Sequence, residues 1–297
     1  MSTKQMRPEA APRVHAFYDG RSAALTYVVY GDQGGACAVI DPVLDYDPNT
    51  GRIDAVTIDN VLRFVETNDF RVEWILETHI HHDHLSGAAA LKERVGGSLG
   101  IGEHYVAVAD IVRDVYNLPC DPGEGAFDRL FRDGEAFPVG NFTAAVLHTP
   151  GHTAESVSYR IGDAVFIGDV LFMPDSGCGR CDFRGGNAHA LHRSIRRLMA
   201  LSPSTRIFVG HDYRPGGRAV AWETTVLDQK AGNTFACADV TEKEFVLRRM
   251  ERDNGLDAPA LLLPSLQVNI RGGRLPPPEA NGAIYLKTPI NLPPGSL

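Results

Sequence analysis

Histidine and aspartate are concentrated in one short stretch of this chain, HIHHDH at residues 79–84. Imidazole and carboxylate groups are the ligands that zinc and non-heme iron bind in proteins. His79 and His81 are two residues apart, so in an extended backbone their side chains point to the same side. Asp83 and His84 are expected in the turn that follows and in the first residues of a helix. The stretch therefore predicts a site for one or two metal ions.

Three further potential ligands lie later in the chain. His152 stands in TPGHT, Asp169 in FIGD and His211 in VGHDY, and each is at or just after the end of a strand-like segment. Side chains at the ends of neighbouring strands can meet at one edge of a sheet although they are far apart in sequence. We therefore expect these three residues to join the stretch at 79–84 in one site.

The other six histidines are expected to be solvated or hydrogen-bonded locally. Two of them share a helix face at positions 189 and 192, but no carboxylate partner is evident for them in the sequence. These six residues are His15, His82, His104, His148, His189 and His192.

The segments around the motifs are short and apolar, as in the strands of a sheet, and they are interspersed with amphipathic helices. Strands are predicted at 25–30, 36–41, 72–78, 141–149, 157–161, 164–169 and 206–210. Helices are predicted at 53–69, 85–97, 188–200 and 240–253. Two β-rich halves that carry helices, without a simple βαβ repeat, favour an α/β fold of the layered αββα type over a Rossmann sheet.

The last part of the chain differs from the rest. After the helix at 240–253, residues 259–294 are rich in proline and are expected to be extended. We therefore divide the chain into a main domain at 14–235 and a C-terminal helix and extended tail at 236–297, which packs on that domain as an appendage.

Composition limits the classes of partner. The 297 residues are 43% hydrophobic and 22% charged, as in ordinary globular domains, and the formal net charge of −8 disfavours binding to nucleic acid or an anionic membrane. No apolar run reaches the ~18 residues of a membrane span, and the polar N-terminus lacks the features of a signal or transit peptide. Five cysteines, an odd and small number, fit reduced thiols in the cytoplasm.

The motifs THIHHDH, TPGHT, GD and GHD together resemble those of the metallo-β-lactamase superfamily across roughly residues 14–235. The resemblance implies an αββα sandwich with a metal site along one edge of the two sheets. Longer segments, including GDVLFMPDSGCGRCDFRGG at 168–186 and LPSLQVNIRGG at 263–273, are similar to bacterial glutathione-dependent persulfide dioxygenases of the ETHE-like type. Such enzymes hold one Fe²⁺ ion and oxidise glutathione persulfide with O₂ and water to sulfite and glutathione.

The resemblance implies iron ligands at His79, His152 and Asp169. Two imidazoles and one carboxylate on one side of an ion leave positions open for O₂ and a substrate sulfur, as in non-heme iron oxygenases. Four further residues would then orient ligands and waters through hydrogen bonds, or hold a second metal ion: His81, Asp83, His84 and His211.

The resemblance also implies residues that contact the substrate. An arginine at the position of Arg180 lies near the glutathione pocket in this family and can bind a carboxylate through two hydrogen bonds; the alternative is a structural ion pair with Asp182. Tyr213 can donate its phenol to the substrate sulfur or to iron-bound oxygen, and the alternative is a packed aromatic ring. Weaker candidates for contacts with an anion are Arg214, Arg218 and Lys287, and the alternative for each of them is a solvated surface position.

The loop that contains Arg180 also departs from the family pattern. It reads DSGCGRCDFRGG where close relatives show a sequence resembling DYGTARCDFPGG, and GHDY stands where they often have CHDY. Cys178 and Cys181 form a CxxC pair, which is weak evidence for redox or zinc chemistry because it is isolated in a glycine-rich loop. A plain pocket-lining loop is the favoured interpretation.

A second hypothesis is a dinuclear Zn²⁺ hydrolase of glutathione thioesters, similar to glyoxalase II. In it a bridging hydroxide would attack the thioester carbonyl while the metals stabilise the oxyanion. The C-terminal sequence disfavours this hypothesis, because glyoxalase II differs there. A non-catalytic metal-binding module is a third hypothesis, which the complete ligand set disfavours. A homodimer and a separate sulfurtransferase that delivers the persulfide are compatible with the sequence.

Overall fold

The computed structural model describes residues 11–118, 125–236, 239–293 and 296. Residues 1–10, Cys120 and Cys237 lie outside this part of the chain, so the expectations for them stay predictions. Among the described residues, three cysteines are buried and form no disulfide: Cys37, Cys178 and Cys181.

Short strands dominate the first half of the chain. In chain order its elements are β1 (Arg13–Tyr18), β2 (Leu25–Tyr30), β3 (Ala36–Ile40), β4 (Val43–Asp47), β5 (Arg52–Asp54), α1 (Val56–Thr67), β6 (Arg71–Leu76), β7 (Leu85–Ser86), α2 (Ala88–Val95), β8 (Ser98–Gly102), α3 (Tyr105–Tyr116) and β9 (Arg129–Phe131).

The second half begins with a run of antiparallel strands and ends with helices. Its elements are β10 (Ala136–Val139), β11 (Phe142–His148), β12 (Val157–Ile161), β13 (Ala164–Phe166), α4 (Ala188–Met199), β14 (Arg206–Phe208), a 3₁₀ turn (Pro215–Gly217), β15 (Glu223–Thr225), α5 (Val226–Gly232), α6 (Glu242–Asp253) and α7 (Leu262–Asn269).

Within the described ranges the strands form two six-stranded sheets and one small sheet. The first sheet has the order β1-β2-β3-β6-β8-β9 and is parallel from β3 to β9. The second has the order β10-β11-β12-β13-β14-β15, with one parallel pair, β13 and β14. The small sheet joins β5, β4 and β7. His79 follows β6 of the first sheet, while His152, Asp169 and His211 follow β11, β13 and β14 of the second sheet.

Aromatic side chains fill the space between the two main sheets. Tyr27 of β2 contacts Phe166 of β13 and Phe208 of β14, with ring centroids 5.3 and 5.5 Å apart. The buried Tyr27 hydroxyl donates to the carbonyl of Val209 at 2.6 Å, which satisfies its polar atom inside the core. Aromatic contacts of this kind pack the two main sheets against each other.

Helices cover the outer faces of the sheets. In α1 the buried residues Ile58, Val61, Leu62 and Val65 recur at the spacing of one helix face, and they pack on the first sheet. Helix α4 buries Leu191 and its neighbours against the second sheet in the same way. The αββα sandwich expected from the sequence is therefore confirmed.

The C-terminal segment was expected to be extended, and this was wrong for α7. Pro264 is the third residue of that helix, in the first turn, where the backbone N–H has no partner within the helix and proline is tolerated. Leu266, Val268 and Ile270 are buried, and the helix packs against β7 and α3. Tertiary burial therefore makes a helix of a segment whose prolines suggested otherwise.

Helix α6 packs against α4. Thr241 and Glu244 form a capping box at its start, which satisfies free backbone N–H groups. The sequence showed no carboxylate partner for His189, but Glu242 of α6 lies 2.9 Å from its Nδ1. In the described part of the chain, no helix has the length and apolar character needed to cross a membrane.

Candidate metal centre

The stretch 79–84 lies in the loop between β6 and β7. Strand β6 lies inside the sheet, between β3 and β8, and the loop begins at its carboxyl end. Asp83 and His84 precede β7, and α2 begins only at Ala88, so the expectation that they begin a helix was wrong. The two-residue strand β7 follows His84 and pairs with β4, which fixes the end of the loop.

His79, His152 and Asp169 come together at this edge of the sandwich. One ligand atom from each lies within 4.8 Å of the other two, and all three side chains are buried. They follow β6, β11 and β13 in the chain, so strand ends from both sheets supply the group. Two imidazoles and a carboxylate at this spacing form a donor set that one transition-metal ion can accept.

The hydrogen bonds of the two histidines leave one nitrogen of each available. Nδ1 of His152 donates to the backbone carbonyl of Arg180 at 2.8 Å, so its Nε2 keeps the lone pair. Thr78 donates its hydroxyl to Asp41, so its oxygen accepts from Nδ1 of His79 at 3.0 Å.

The remaining nitrogen of His79 shows that the group fits a metal. Nε2 of His79 is buried and has no hydrogen-bond partner among the described residues, an arrangement that is costly unless an ion binds there. Burial, followed by the neighbouring histidines, lowers the pKa of His79 well below its usual value. The imidazole is therefore neutral, which is the form that binds a metal.

His211 bridges two carboxylates. Its Nδ1 lies 2.7 Å from Oδ1 of Asp169 and its Nε2 lies 2.6 Å from Oδ2 of Asp83. Burial alone would lower the pKa of His211, but the two carboxylates outweigh it and raise the pKa well above the usual value. His211 therefore acts as a cation between the carboxylates, and Oδ2 of Asp169 stays available on the side of His152.

His81 is held in a similar way on the other side of the loop. Its Nε2 lies 3.1 Å from Glu77 and 3.2 Å from Asp41, and Ser86 donates a hydrogen bond to Glu77. Burial alone would lower the pKa of His81, but these carboxylates raise it well above the usual value. The hydrogen bonds orient the His81 ring and occupy one of its nitrogens.

A second group of possible ligands consists of His81, Asp83 and His84, whose ligand atoms also lie within 4.8 Å of one another. Nδ1 of His84 is 3.3 Å from Asp83, and its buried Nε2 has no hydrogen-bond partner among the residues described. Burial lowers the pKa of His84, which keeps the ring neutral. The donor atoms of a two-metal arrangement are therefore present beside the first group.

A cavity of about 250 Å³ opens over the first group. His82 lines it beside Phe183, with ring centroids 4.2 Å apart, and burial lowers the pKa of His82 to about 3. The sequence placed His82 among the solvated histidines, and its position inside the ligand stretch was the signal against that. The other lining residues are Asp83, His152, Asp169, Phe172, Ser176, Cys178, Arg180, Phe183, Tyr213, Arg249, Arg252, Leu256 and Pro259.

Arg180 lines this cavity, but its side chain is engaged elsewhere. Its Nε and Nη2 donate to both carboxylate oxygens of Asp182, at 2.7 and 2.6 Å, and its Nη1 donates to the carbonyl of Asp257 at 2.7 Å. The ion pair with Asp182 is the alternative that the sequence left open.

Three other cations expected near the substrate do not line the cavity. Arg218 pairs with Asp175 and Asp212, and Nε of Arg214 donates to the carbonyl of Arg218. Lys287 donates to two carbonyls at the end of α3. The structure therefore does not bring these side chains to the centre, because internal acceptors hold them.

Tyr213 stands at the cavity with half of its surface exposed. Its ring stacks on His211, with centroids 5.6 Å apart and planes 2° apart, and Phe172 meets it edge-on. The ring therefore packs against His211 and Phe172 and also lines the cavity, so a contact with the substrate and a role in packing alone both stay predictions.

Helix α6 contacts the loop that contains the CxxC pair. Arg249 of α6 donates to the carbonyl of Cys178 at 3.0 Å, and Asp253 accepts from the backbone N–H of Cys181. Burial raises the pKa of the Cys178 thiol to about 11 and raises that of Cys181 further. Protonated, buried thiols are poor nucleophiles, which supports a structural lining loop.

The sequence of the chain matches the family model described as the metallo-beta-lactamase superfamily over residues 19–211. The chain belongs to this superfamily. A beta-lactamase hydrolase-like protein of Xylella fastidiosa is 48% identical over 281 residues, which cover 94% of this chain and 65% of that protein. The chain thus spans slightly less than two thirds of that relative.

In two further comparisons the match covers the other protein almost completely. A probable metallo-hydrolase of Burkholderia pseudomallei is 44% identical over 290 residues, which are 94% of this chain and 99% of that protein. The crystal structure of ETHE1 from Myxococcus xanthus superposes with a TM-score of 0.71 at 28% identity, over 88% of this chain and 100% of the other. The family match, these similarities and the His/Asp cluster agree on one fold, that of the metallo-β-lactamase superfamily, with a group of side chains that could hold a metal ion.

Proposed function

We propose that this superfamily member is a non-heme Fe²⁺ dioxygenase that oxidises glutathione persulfide with O₂ and water to sulfite and glutathione. One observation carries the proposal. His79, His152 and Asp169 offer two imidazole nitrogens and one carboxylate oxygen at a cavity, while His81 and His211 are bound to carboxylates. A donor set of two histidines and one carboxylate is typical of iron oxygenases, and the similarity to ETHE1 agrees with it.

In this proposal the three ligands hold one Fe²⁺ ion, which supplies the one-electron chemistry with O₂ that protein side chains lack. The protein prepares the site before the ion binds. The carbonyl of Arg180 fixes the ring of His152, and His211 fixes the carboxylate of Asp169. Groups that hydrogen-bond to metal ligands in this way set the orientation and basicity of those ligands.

The cavity beside the ligands is the proposed binding site for the persulfide. Phe172 and Phe183 form apolar walls beside the ligands, so part of the surface around the reacting sulfur is shielded from water. Tyr213 places a phenol at the same cavity, where it can donate a hydrogen bond to the sulfur or to an oxygen that gains charge.

The decisive experiment combines metal analysis with O₂ consumption. Protein purified without oxygen is expected to contain close to one iron per chain and to consume O₂ only when glutathione persulfide is added, with sulfite as a product. Iron-loaded protein that consumes no O₂ with persulfide would contradict the proposal. A metal-free sample of the same protein serves as the control for oxidation that does not depend on the bound metal.

A dinuclear Zn²⁺ hydrolase of glutathione thioesters is the second candidate. The observation in its favour is the second group of ligands, in which Nε2 of His84 is buried without a partner, and the name of the Burkholderia relative agrees with a hydrolase. This candidate requires about two zinc ions per chain and cleavage of a glutathione thioester under argon. Dioxygenase activity requires neither.

A further inference from the structure

Three arginines stand among the described residues that line the cavity, and two of them are neutralised. Arg180 is paired with both oxygens of Asp182. Arg249 is buried and donates to Asp253. Ion pairs of this kind hold an arginine in place and leave little of its charge for a ligand. Arg252 is the third, so the question is what balances its charge.

Arg252 is exposed, and within the described ranges no carboxylate lies within ion-pair distance of its guanidinium. It is therefore the cavity-lining arginine whose hydrogen-bond donors face solvent. An unpaired guanidinium at the wall of a concave site is suited to bind a carboxylate through two parallel hydrogen bonds.

The backbone around Arg252 is firmly placed. On one side, Arg249 donates to the carbonyl of Cys178 at 3.0 Å. On the other, Asp253 accepts from the N–H of Cys181 at 3.0 Å. Both contacts anchor the end of α6 to the loop beside His152, so the position of Arg252 relative to the metal ligands is fixed by the fold.

Charges of both signs line the cavity. Asp83 and Asp169 belong to the two groups of possible metal ligands, and the unpaired charge of Arg252 lies in the wall contributed by α6. A ligand whose sulfur approaches the metal and whose anionic group lies some distance away matches this arrangement. Glutathione has its thiol in the middle residue and a carboxylate at each end.

We propose that Arg252 is a specificity-determining residue that binds a carboxylate of the glutathione moiety. This inference rests on the proposed function, because it names the substrate of that reaction. It assigns the main anion contact to α6, which lies outside the segment 19–211 that matches the family model, and it gives the Arg180 side chain a structural role.

The test measures binding by calorimetry with S-methylglutathione, which cannot be oxidised at a persulfide sulfur. Arg252→Ala is expected to weaken binding roughly 10- to 100-fold, the effect of losing a charge-assisted hydrogen bond pair, and Arg252→Lys is expected to restore part of it. Lys243→Ala is the matched control, because it removes an exposed cation near the other end of the same helix. In turnover, Arg252→Ala should raise KM more than it lowers kcat.

A second ligand makes the test specific for the carboxylate. The diethyl ester of S-methylglutathione lacks both negative charges, so the wild-type protein should bind it more weakly than the free acid, and Arg252→Ala should lose roughly 10-fold or more of that discrimination. Equal affinity of wild type and Arg252→Ala for the free acid, with wild type binding it, would overturn the inference alone. A wild-type protein that neither binds nor oxidises any glutathione compound would overturn the proposed function as well.

Discussion

Nδ1 of His211 lies 2.7 Å from Oδ1 of Asp169, and this contact decides which oxygen of the carboxylate faces the cavity. The second nitrogen of His211 is held by Asp83, so the ring cannot turn without breaking a bond to a charged group. Asp169 therefore presents Oδ2 toward the cavity side on which His152 lies. The relationship joins two motifs that are 42 residues apart in sequence.

Asp169→Ala is expected to abolish metal binding and O₂ uptake together, because it removes the only anionic ligand of the three. Metal content per chain and persulfide-dependent O₂ consumption are the two measurements. Asp239→Ala, at an exposed position, is the control and should change neither. An Asp169→Ala protein that keeps its full metal content would show that Asp169 is not a ligand.

His84→Ala separates the one-metal from the two-metal hypothesis. If the site holds a single iron at His79, His152 and Asp169, the variant should retain about one metal per chain and lose only part of its activity. The zinc hydrolase hypothesis predicts instead that metal content falls from about two ions to about one. Elemental analysis of the wild type and the variant, prepared in parallel, distinguishes the two results.

Gly210→Ala should reduce metal binding although residue 210 carries no ligand. A Cβ at this position would lie 2.5 Å from Oδ1 of Asp169 and 2.8 Å from the carbonyl carbon of Gly168, so the carboxylate or the backbone must move. Overpacking of this kind costs about 1–3 kcal/mol of unfolding free energy. We expect lower metal affinity in equilibrium dialysis and a lower Tm.

The control for that variant is Gly20→Ala. Apart from Gly20 and its two neighbours in the chain, no atom of the described residues lies within 4 Å of a Cβ built at Gly20, so the substitution should leave metal affinity unchanged. Equal metal affinity of Gly210→Ala and wild type would show that the packing around Asp169 adapts to the extra methyl group.

Tyr213→Phe tests whether the phenol takes part in the reaction. The substitution keeps the ring that stacks on His211, so unfolding free energy should change by no more than about 0.5 kcal/mol. If the hydroxyl donates to a group that gains charge, kcat should fall about 10-fold while KM changes little. Steady-state kinetics identical to those of wild type would assign Tyr213 to packing alone.

Arg180→Ala should lower the free energy of unfolding and leave the metal content per chain unchanged. The side chain binds Asp182 and the carbonyl of Asp257, so its loss should cost about 1–2 kcal/mol in urea unfolding. His152 contacts the backbone carbonyl of Arg180, which the substitution keeps. A rise in KM larger than that of Arg252→Ala would return the carboxylate contact to Arg180.

Much of the fold and of the ligand set could be predicted from local patterns. The apolar segments of β2, β3 and β12 and the amphipathic spacing in α1 and α4 agree with the elements observed, because period and composition are properties of a few neighbouring residues. The helix α7 could not be predicted in this way. Its stability comes from burial against β7 and α3, which are distant in sequence.

The sequence by itself determined which residue types surround the centre and that they follow strand ends, since the motifs around His79, His152 and Asp169 are local. Only the tertiary structure decided which atoms are available, because each ring and carboxylate is oriented by partners from other segments, as His211 orients Asp169. Tertiary contacts likewise give Arg180 and Arg252 different roles. Asp182 and the carbonyl of Asp257 bind the Arg180 side chain, while α6 brings Arg252 to the cavity with its charge unpaired.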